Sequence, residues 1–241
     1  MADAVDNRLI VALDVETAHR ARELFISLRE VAGAFKIGMQ LFTAAGPELV
    51  RELVKEGARI FLDLKYHDIP NTVAAAGVEA ARLGVFMFNV HASGGGEMMR
   101  RTADAVREAA AREGLTQPKV IGVTLLTSAD GESLAETGIK AEPEEQVVRL
   151  ARLTESNGLD GVVASAHEIR AVREAVKRQD FLVVTPGVRP VGSASDDQRR
   201  VMTPAAAVRA GADYLVVGRA ILNSTDPVQA ALAISEEMRN S

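Results

Sequence analysis

Two opposite charges lie two residues apart in the apolar run Phe61-Leu62-Asp63-Leu64-Lys65. Strand alternation would turn Phe61, Asp63 and Lys65 toward one side and leave the leucines between them on the other. A carboxylate beside an ammonium group can stabilise developing charge and move a proton. On an exposed strand such a pair is usually a self-satisfied ion pair. Here the flanking residues are apolar, and a buried charge costs several kcal/mol unless it is paired or functional, so function is favoured.

More charged residues accompany the neighbouring apolar runs. Asp14 follows the first run, Lys36 lies in the second, and Asp68 lies just beyond the third. Eight such runs, rich in apolar and β-branched residues, are predicted to be strands. They are Leu9–Leu13, Ala34–Ile37, Arg59–Leu64, Val85–Val90, Lys119–Thr124, Gly161–Ala164, Phe181–Thr185 and Tyr214–Val217. If these strands run parallel in a barrel, their carboxyl ends bring the charged side chains together at one mouth.

Longer amphipathic segments separate the strands and predict helices. From Ala18 to Val31 the apolar residues recur every three or four positions, as on a helix that packs against a sheet. Thr203-Pro204 and Asp226-Pro227 each place a capping side chain before a proline, which marks a helix start. Six glycines follow helical patterns and precede strands, where they would end the helices. They are Gly33, Gly57, Gly84, Gly114, Gly158 and Gly211.

Eight strand-helix units in 241 residues predict an α/β fold, specifically a (β/α)8 TIM barrel, an architecture that typically takes about 250 residues. An open doubly wound sheet of six strands is the alternative fold. No shift in composition and no linker divides the chain, so residues 1–241 are expected to form a single catalytic barrel domain.

The composition is that of a globular protein and narrows the range of functions. It is 47% hydrophobic and 25% charged, which excludes disordered and fibrous classes. The absence of cysteine excludes disulfides and thiolate metal sites and predicts a cytoplasmic protein. A net charge of −5 with scattered basic residues predicts no nucleic-acid partner, and no apolar run approaches the ~18 residues that span a membrane. No two of the four histidines have metal-ligand spacing, so no metal is expected.

The stretch from Phe61 to Thr72, FLDLKYHDIPNT, resembles the signature of the orotidine 5'-phosphate decarboxylase family. Five further segments agree with that family, and they are Leu13-Asp14, Phe35–Gly38, Val123–Ser128, Thr185–Arg189 and Val217–Ile221. Sugar-phosphate enzymes of the same barrel superfamily share the Asp-x-Lys-x-x-Asp core, but the extension through Thr72 resembles the decarboxylase. Those metal-dependent relatives carry an acidic magnesium ligand on the second strand, where this chain has Lys36.

The resemblance implies an enzyme that decarboxylates orotidine 5'-phosphate to uridine 5'-phosphate in de novo pyrimidine biosynthesis, without a cofactor. Lys65 is implied to protonate the carbanion left at carbon 6 of the pyrimidine, and Asp63 to lie against the departing carboxylate. Lys36 and Asp68 would complete an alternating Lys-Asp-Lys-Asp network that carries no net charge. These four are the expected catalytic residues, and all four are expected to contact the substrate.

The resemblance also implies a homodimer. Asp68 would reach into the active site of the neighbouring subunit, with Ile69 and Thr72 beside it as substrate-binding residues. The alternative for Asp68 is that it caps the helix expected to begin near Pro70.

Further binding residues are implied along the nucleotide. Asp14 would accept hydrogen bonds from the ribose hydroxyls, and Thr127 would lie near the edge of the base. Gly218 and Arg219 would bind the phosphate where a short helical segment begins. The alternatives are a loop cap for Asp14 and a simple turn residue for Thr127.

The loop from residue 186 to about residue 202 is long for a compact domain, which indicates a lid. Arg189 and Gln198 lie in it. In the family this loop closes over the phosphate, and Gln198 would link the phosphate to the pyrimidine. An ordinary mobile loop is the alternative.

Two other functions remain open from the sequence alone. A sugar-phosphate lyase or isomerase on the same barrel would need a divalent metal or a different base, so activity in chelator would count against it. A non-catalytic nucleotide-binding barrel could keep Gly218 and Arg219. It would have no need for the two lysines and two aspartates of the network together.

Overall fold

A computed structural model describes residues 6–189 and 202–241 of the chain. Eight parallel strands pair in chain order, and the first pairs with the last to close a barrel. The strands are β1 (Leu9–Ala12), β2 (Ala34–Gly38), β3 (Ile60–Tyr66), β4 (Met87–His91), β5 (Lys119–Val123), β6 (Gly161–Val163), β7 (Leu182–Pro186) and β8 (Tyr214–Val217). The (β/α)8 barrel prediction is therefore confirmed, and the open six-stranded sheet is wrong. That residues 1–241 form a single domain stays a prediction for the parts outside the described residues.

At least one helix follows each strand and lies outside the barrel. In the described part of the chain the helices are α1 (Ala18–Leu28), α2 (Met39–Lys55), α3 (Pro70–Arg82), α4 (Gly96–Glu113), α5 (Gly131–Glu136), α6 (Pro143–Ser156), α7 (Ile169–Ala175), α8 (Pro204–Ala210), α9 (Arg219–Leu222) and α10 (Pro227–Arg239). Thr203 and Asp226 cap α8 and α10 as predicted, since each side chain accepts a hydrogen bond from a backbone N–H of the first turn. Within the described residues, no helix combines the length and the apolar character that crossing a membrane would require.

Side chains of the strands divide between two apolar layers. Those that point outward join the helices in the larger core, as Ile60 and Leu62 of β3 do. Those that point inward, including Phe61, Met87 and Val216, fill the barrel interior. Because strand residues alternate, the inward positions that follow toward the carboxyl ends carry the polar side chains of the mouth.

Five of the six predicted helix-stopping glycines have positive φ angles, a conformation that favours glycine after a helix. Gly33 differs, because its φ is not in that region. A Cβ atom at Gly33 would lie 2.4 Å from the backbone oxygen of Asn7, so close approach of the chain before β1 requires this glycine. Glycine at position 33 is therefore required by close packing against Asn7 and not by a left-handed helix end.

The beginning and the end of the described chain meet at the amino-end face of the barrel, opposite the mouth. Arg8, just before β1, pairs with Asp6 at 2.7 Å. The same guanidinium donates a hydrogen bond to the backbone oxygen of Met238 near the end of α10, at 3.1 Å. This contact ties the first strand to the last helix.

Candidate active site

Asp63 is the centre of a charge cluster at the mouth of the barrel. Its Oδ1 atom accepts a hydrogen bond from the Lys65 Nζ atom at 2.7 Å, and its Oδ2 atom lies 3.5 Å from the Lys36 Nζ atom. The Asp63 side chain is only 13% exposed and that of Lys36 only 10%. Two ammonium groups therefore flank one buried carboxylate, as the alternation of β2 and β3 predicts.

The surroundings of Asp63 favour its ionised form. Burial acts to raise the pKa of this carboxyl, but the charges of Lys36 and Lys65 and the hydrogen bonds from Lys65 and Asn89 act against burial. The net result is that the pKa of Asp63 lies below its ordinary value. The site consequently holds a fixed negative charge at neutral pH.

Lys36 also connects the cluster to the end of β1. Its Nζ atom donates a hydrogen bond to the Asp14 Oδ1 atom at 2.7 Å. The Asp14 side chain is 54% exposed, so its second oxygen can reach a ligand in the mouth. Asp14, Lys36, Asp63 and Lys65 thus form one continuous chain of alternating charges.

Lys65 has an unusual backbone conformation. Its φ angle is 52°, which makes it the one non-glycine residue with positive φ in the described part of the chain. This left-handed conformation costs roughly 1–2 kcal/mol for a residue with a Cβ atom. The pairing of β3 with β4 is irregular at the same place, because Leu62 pairs with Phe88 but the next pair is Tyr66 with Val90. Backbone strain of this kind is concentrated at functional sites.

Asn89 is a site residue that the sequence analysis missed. It is 1% exposed at an inward position of β4. Its Nδ2 atom donates to the Asp63 Oδ1 atom at 2.7 Å, and its Oδ1 atom accepts from the Lys65 backbone N–H at 2.8 Å. The available signal was the alternation of β4, where Asn89 follows the inward Met87 by two residues. A polar residue at such a position is as unusual as Asp63 is on β3.

An apolar cavity of about 170 Å³ opens directly beside the charge cluster. Lys36, Asp63 and Lys65 form its charged side. The other lining residues are Phe61, Val123, Leu125, Leu126, Thr127, Val163, Pro186 and Val216. Apolar walls beside a few convergent charges suit a flat ring that carries one reacting group. Thr127, a predicted site residue, is part of this wall.

A second, more polar cavity of about 190 Å³ adjoins the first. Both are lined by Lys36, Pro186 and Val216, so they form one continuous depression. The far side of the second cavity comprises Asp14, the segment Gly187–Arg189 and the segment Val217–Ala220. Two arginines, Arg189 and Arg219, are therefore among the lining residues of the cavity that Asp63 does not line. A Cβ atom at Gly218 would lie 3.4 Å from the Ala12 Cβ atom and 3.6 Å from the Asp14 Oδ2 atom, and would narrow this cavity.

Three predicted residues lie outside the cluster in the single chain. Asp68, Ile69 and Thr72 are exposed, and Ile69 is 66% accessible. The Asp68 Oδ1 atom accepts a hydrogen bond from the Ile69 backbone N–H at 2.6 Å. Ile69 itself occupies the cap position before Pro70, without a side-chain cap hydrogen bond, so Asp68 is not the helix cap that we considered as an alternative. Gln198 lies outside the described residues.

Two histidines border the cluster on the side of β4. The rings of His67 and His91 are 5.4 Å apart. Burial lowers the pKa of His91, and the neighbouring charges of His67 and Lys65 lower it further, while Asp63 opposes them. Among residues 6–189 and 202–241, no three His, Asp or Glu side chains are grouped as metal ligands would be.

Comparisons with known proteins agree with this geometry. The family model described as "Orotidine 5'-phosphate decarboxylase / HUMPS family" matches residues 7–234. The orotidine 5'-phosphate decarboxylase of Moorella thermoacetica is 55% identical over 96% of this chain and 92% of its own length. That of Syntrophotalea carbinolica is 54% identical over 96% of this chain and 94% of its own.

A solved structure gives the same result at the level of the fold. The crystal structure of orotidine 5'-phosphate decarboxylase from Lactobacillus acidophilus superposes with a TM-score of 0.84 at 37% identity. It covers 97% of this chain and 99% of the solved chain. Fold, full-length identity and family model agree, and the chain belongs to the orotidine 5'-phosphate decarboxylase / HUMPS family.

Proposed function

We propose that this protein decarboxylates orotidine 5'-phosphate to uridine 5'-phosphate, without a cofactor, in cytoplasmic pyrimidine biosynthesis. The single observation that carries the proposal is the buried Asp63 carboxylate, held between two ammonium groups beside an apolar cavity. Two ammonium groups beside an apolar cavity favour a ligand that carries or develops negative charge over an apolar one. A planar base whose reacting carbon becomes negatively charged would gain a great deal.

The two joined cavities suit the two ends of a nucleotide. The apolar cavity has room for the pyrimidine ring, and its charged side would meet carbon 6. Arg189 and Arg219 line the polar cavity and can hold a phosphate dianion there, since a guanidinium group can form two parallel hydrogen bonds with a phosphate. The ribose would then lie between them, with its hydroxyls donating to Asp14. Thr127 would contact the edge of the base, and Gln198 would link the base to the phosphate.

In the reaction, the bond between carbon 6 and its carboxylate breaks and the electron pair stays on carbon 6. The product CO2 leaves uncharged. The Lys65 ammonium stabilises the growing negative charge and then transfers one proton to carbon 6, which leaves a neutral amine that regains a proton from solvent. Because Lys65 is already held against Asp63, little reorganisation is needed as the charge develops.

Asp63 has two effects in this proposal. It orients the Lys65 ammonium through the 2.7 Å hydrogen bond. It also repels the substrate carboxylate, and this repulsion vanishes as CO2 forms. We expect stabilisation of the transition state by Lys65 to be the larger contribution, because repulsion in the ground state speeds the reaction only where binding energy elsewhere holds the substrate in place.

The complete site is proposed to need two copies of the chain. Asp68, Ile69 and Thr72 lie exposed on the stretch that leads from β3 into α3, and Ile69 is among the most exposed large apolar side chains. An exposed aspartate next to an exposed isoleucine is suited to entering a neighbouring site. Asp68 would supply the second aspartate of the proposed Lys36-Asp63-Lys65-Asp68 network, in which two negative charges balance two positive ones.

The direct test is to incubate the purified protein with orotidine 5'-phosphate in excess EDTA and to follow the loss of ultraviolet absorbance. Sustained turnover in EDTA, absent in a preparation of Lys65→Ala, is the expected result. No absorbance change, or turnover that depends on added Mg²⁺, would overturn the proposal. The second outcome would favour a metal-dependent sugar-phosphate type of reaction instead.

A further inference from the structure

Both ends of the Asn89 carboxamide form hydrogen bonds within the charge cluster. The Nδ2 atom donates to the Asp63 Oδ1 atom at 2.7 Å, and the Oδ1 atom accepts from the Lys65 backbone N–H at 2.8 Å. The side chain is 1% exposed, so both hydrogen bonds are protected from competing water. The residue lies in β4, 26 positions along the chain from Asp63.

These hydrogen bonds occur where the β3 ladder is interrupted. Leu62 pairs with Phe88 and Tyr66 with Val90, so three residues of β3 lie opposite Asn89 alone. Within this bulge Lys65 adopts its left-handed φ of 52°. A backbone N–H that leaves a ladder must find another acceptor when it is buried. For Lys65 the Asn89 side chain provides that acceptor.

We infer that Asn89 is a positioning residue, which fixes the Asp63 carboxylate and the left-handed backbone of Lys65 in one unit. The left-handed conformation turns the Lys65 Nζ atom back onto Asp63, and without support a lysine would leave this conformation. The inference rests on the proposed function for its kinetic consequence. Its structural consequence can be tested without any substrate.

The chemistry of the carboxamide explains why asparagine suits this position. A single side chain must donate to a carboxylate and accept from an N–H. Aspartate could still accept from Lys65, but it could not donate to Asp63 and would add a second negative charge beside it. Leucine is branched at Cγ as asparagine is, and it can make neither hydrogen bond. These two substitutions therefore separate the two contacts.

The kinetic effect should fall on kcat. Asn89 is not among the residues that line either cavity, so we expect no direct contact between Asn89 and the bound nucleotide. Misplacing a reacting group by about 1 Å can cost on the order of 100-fold in rate. We expect Asn89→Leu to lower kcat by about 100-fold and to change KM by less than about threefold.

The Asn89→Asp variant is expected to change the pH dependence of kcat, which a loss of stability alone would leave unchanged. A new carboxylate beside Asp63 raises the pKa of the pair, because like charges disfavour joint ionisation. The groups that face Asp63 are Lys36 and Lys65, with His91 and His67 behind them. The ionised Asp63 carboxylate holds the Lys65 ammonium in place, so the acid limb of the kcat profile reports the ionisation of Asp63. The acid limb of the kcat profile should therefore move to higher pH in Asn89→Asp.

A matched control is Thr102→Val in α4. Thr102 is fully buried, and its hydroxyl donates to the Met98 backbone oxygen at 2.8 Å, outside both cavities. This variant changes a fully buried residue outside both cavities and should keep the wild-type kcat and pH profile. Equal losses of kcat in Thr102→Val and Asn89→Leu would overturn the inference, because both losses would then reflect stability alone.

The structural measurement is a crystal structure of Asn89→Leu without ligand, or of Asn89→Asp should the leucine variant not fold. The expected result for Asn89→Leu is that Lys65 leaves the left-handed region and that its Nζ atom loses the Asp63 contact. For Asn89→Asp the left-handed Lys65 is expected to remain, with the Asp63 carboxylate displaced. A leucine variant with both features unchanged would refute the inference. If the wild type failed to turn over orotidine 5'-phosphate, the proposed function would fail while this measurement still decided the role of Asn89.

Discussion

Replacing Lys65 with alanine tests the central claim about the chemistry of the site. The substitution removes the ammonium that lies 2.7 Å from the Asp63 carboxylate and faces the apolar cavity. Asp63 keeps its hydrogen bond from Asn89 and its ion pair with Lys36, so the carboxylate is not left unpaired. The barrel is therefore expected to stay folded, and the loss should be one of catalysis.

The size of the loss follows from electrostatics. A carbanion about 3 Å from an ammonium is stabilised by about 5.5 kcal/mol at an effective dielectric constant of about 20. At 1.36 kcal/mol for each factor of ten, this corresponds to about 10⁴-fold in kcat. Loss of the proton donor adds a further factor, which for general acids is typically about 10² to 10⁴. We therefore expect Lys65→Ala to lose at least about 10⁴-fold of kcat.

The assay is the loss of orotidine 5'-phosphate absorbance, run at enzyme concentrations high enough to detect residual turnover. Binding of uridine 5'-phosphate, measured by calorimetry, checks that the cavities are intact. Lys119→Ala is the matched control, because Lys119 is also a strand lysine paired with an aspartate, Asp160, at 3.0 Å. Lys119 begins β5, at the end of the barrel away from the mouth. This control should keep wild-type kcat.

A loss of less than about 100-fold in a folded Lys65→Ala enzyme that still binds product would refute the reasoning. Such a result would mean that neither the charge nor the proton of Lys65 is used in the slow step. A comparable loss in Lys119→Ala would show that the assay reports on stability and not on chemistry.

Three further predictions follow from the same geometry. Arg219→Ala should raise KM for orotidine 5'-phosphate far more than it lowers kcat, and an unchanged KM in steady-state assays would mean that the phosphate binds elsewhere. Equal amounts of inactive Lys65→Ala and Asp68→Ala chains, mixed and allowed to exchange subunits, should recover about a quarter of wild-type activity, because random mixing gives half hybrid dimers with one intact site each. No recovery after proven exchange would favour a site made by one chain. The lowered pKa of Asp63 means that its ionised form stabilises the fold above the ordinary value of about 4, and this contribution is lost as the pH falls through the folded-state pKa. Thermal unfolding between pH 2 and 6 should therefore show a steeper decline at low pH for the wild type than for Asp63→Asn, and identical slopes would contradict the assignment.

The strands could be predicted closely from local patterns, and the residual errors have identifiable causes. The eighth predicted strand, Tyr214–Val217, has the bounds of β8. The fourth was predicted from Val85, but the ladder begins at Met87, because apolar character continues into the turn before the strand. The first helix was predicted to extend to Val31 and ends at Leu28, since the N–H groups of Val31 and Ala32 fold back onto the Leu28 oxygen in a final turn.

The positions of the charged site residues could also be predicted, but not the hydrogen bonds from Asn89 that hold Asp63 and Lys65 in place. Alternation along β3 is a local property, so the sequence was enough to put Asp63 and Lys65 in one cavity. The bulge at Lys65 and its support by Asn89 depend on two strands whose relative register local patterns do not specify. Asp68 is exposed in the single chain, and its role in a neighbouring subunit stays a prediction.

The Arg8–Met238 contact has a consequence for engineering. Because the two ends of the described chain are neighbours on the face opposite the cavities, a short linker could join them without crossing the mouth. New ends could then be opened in another connection on that same face, such as the turn at Gly158 between α6 and β6. A circular permutant of this design would leave the charged cluster at the mouth unchanged. Only the order in which the strands are synthesised would differ.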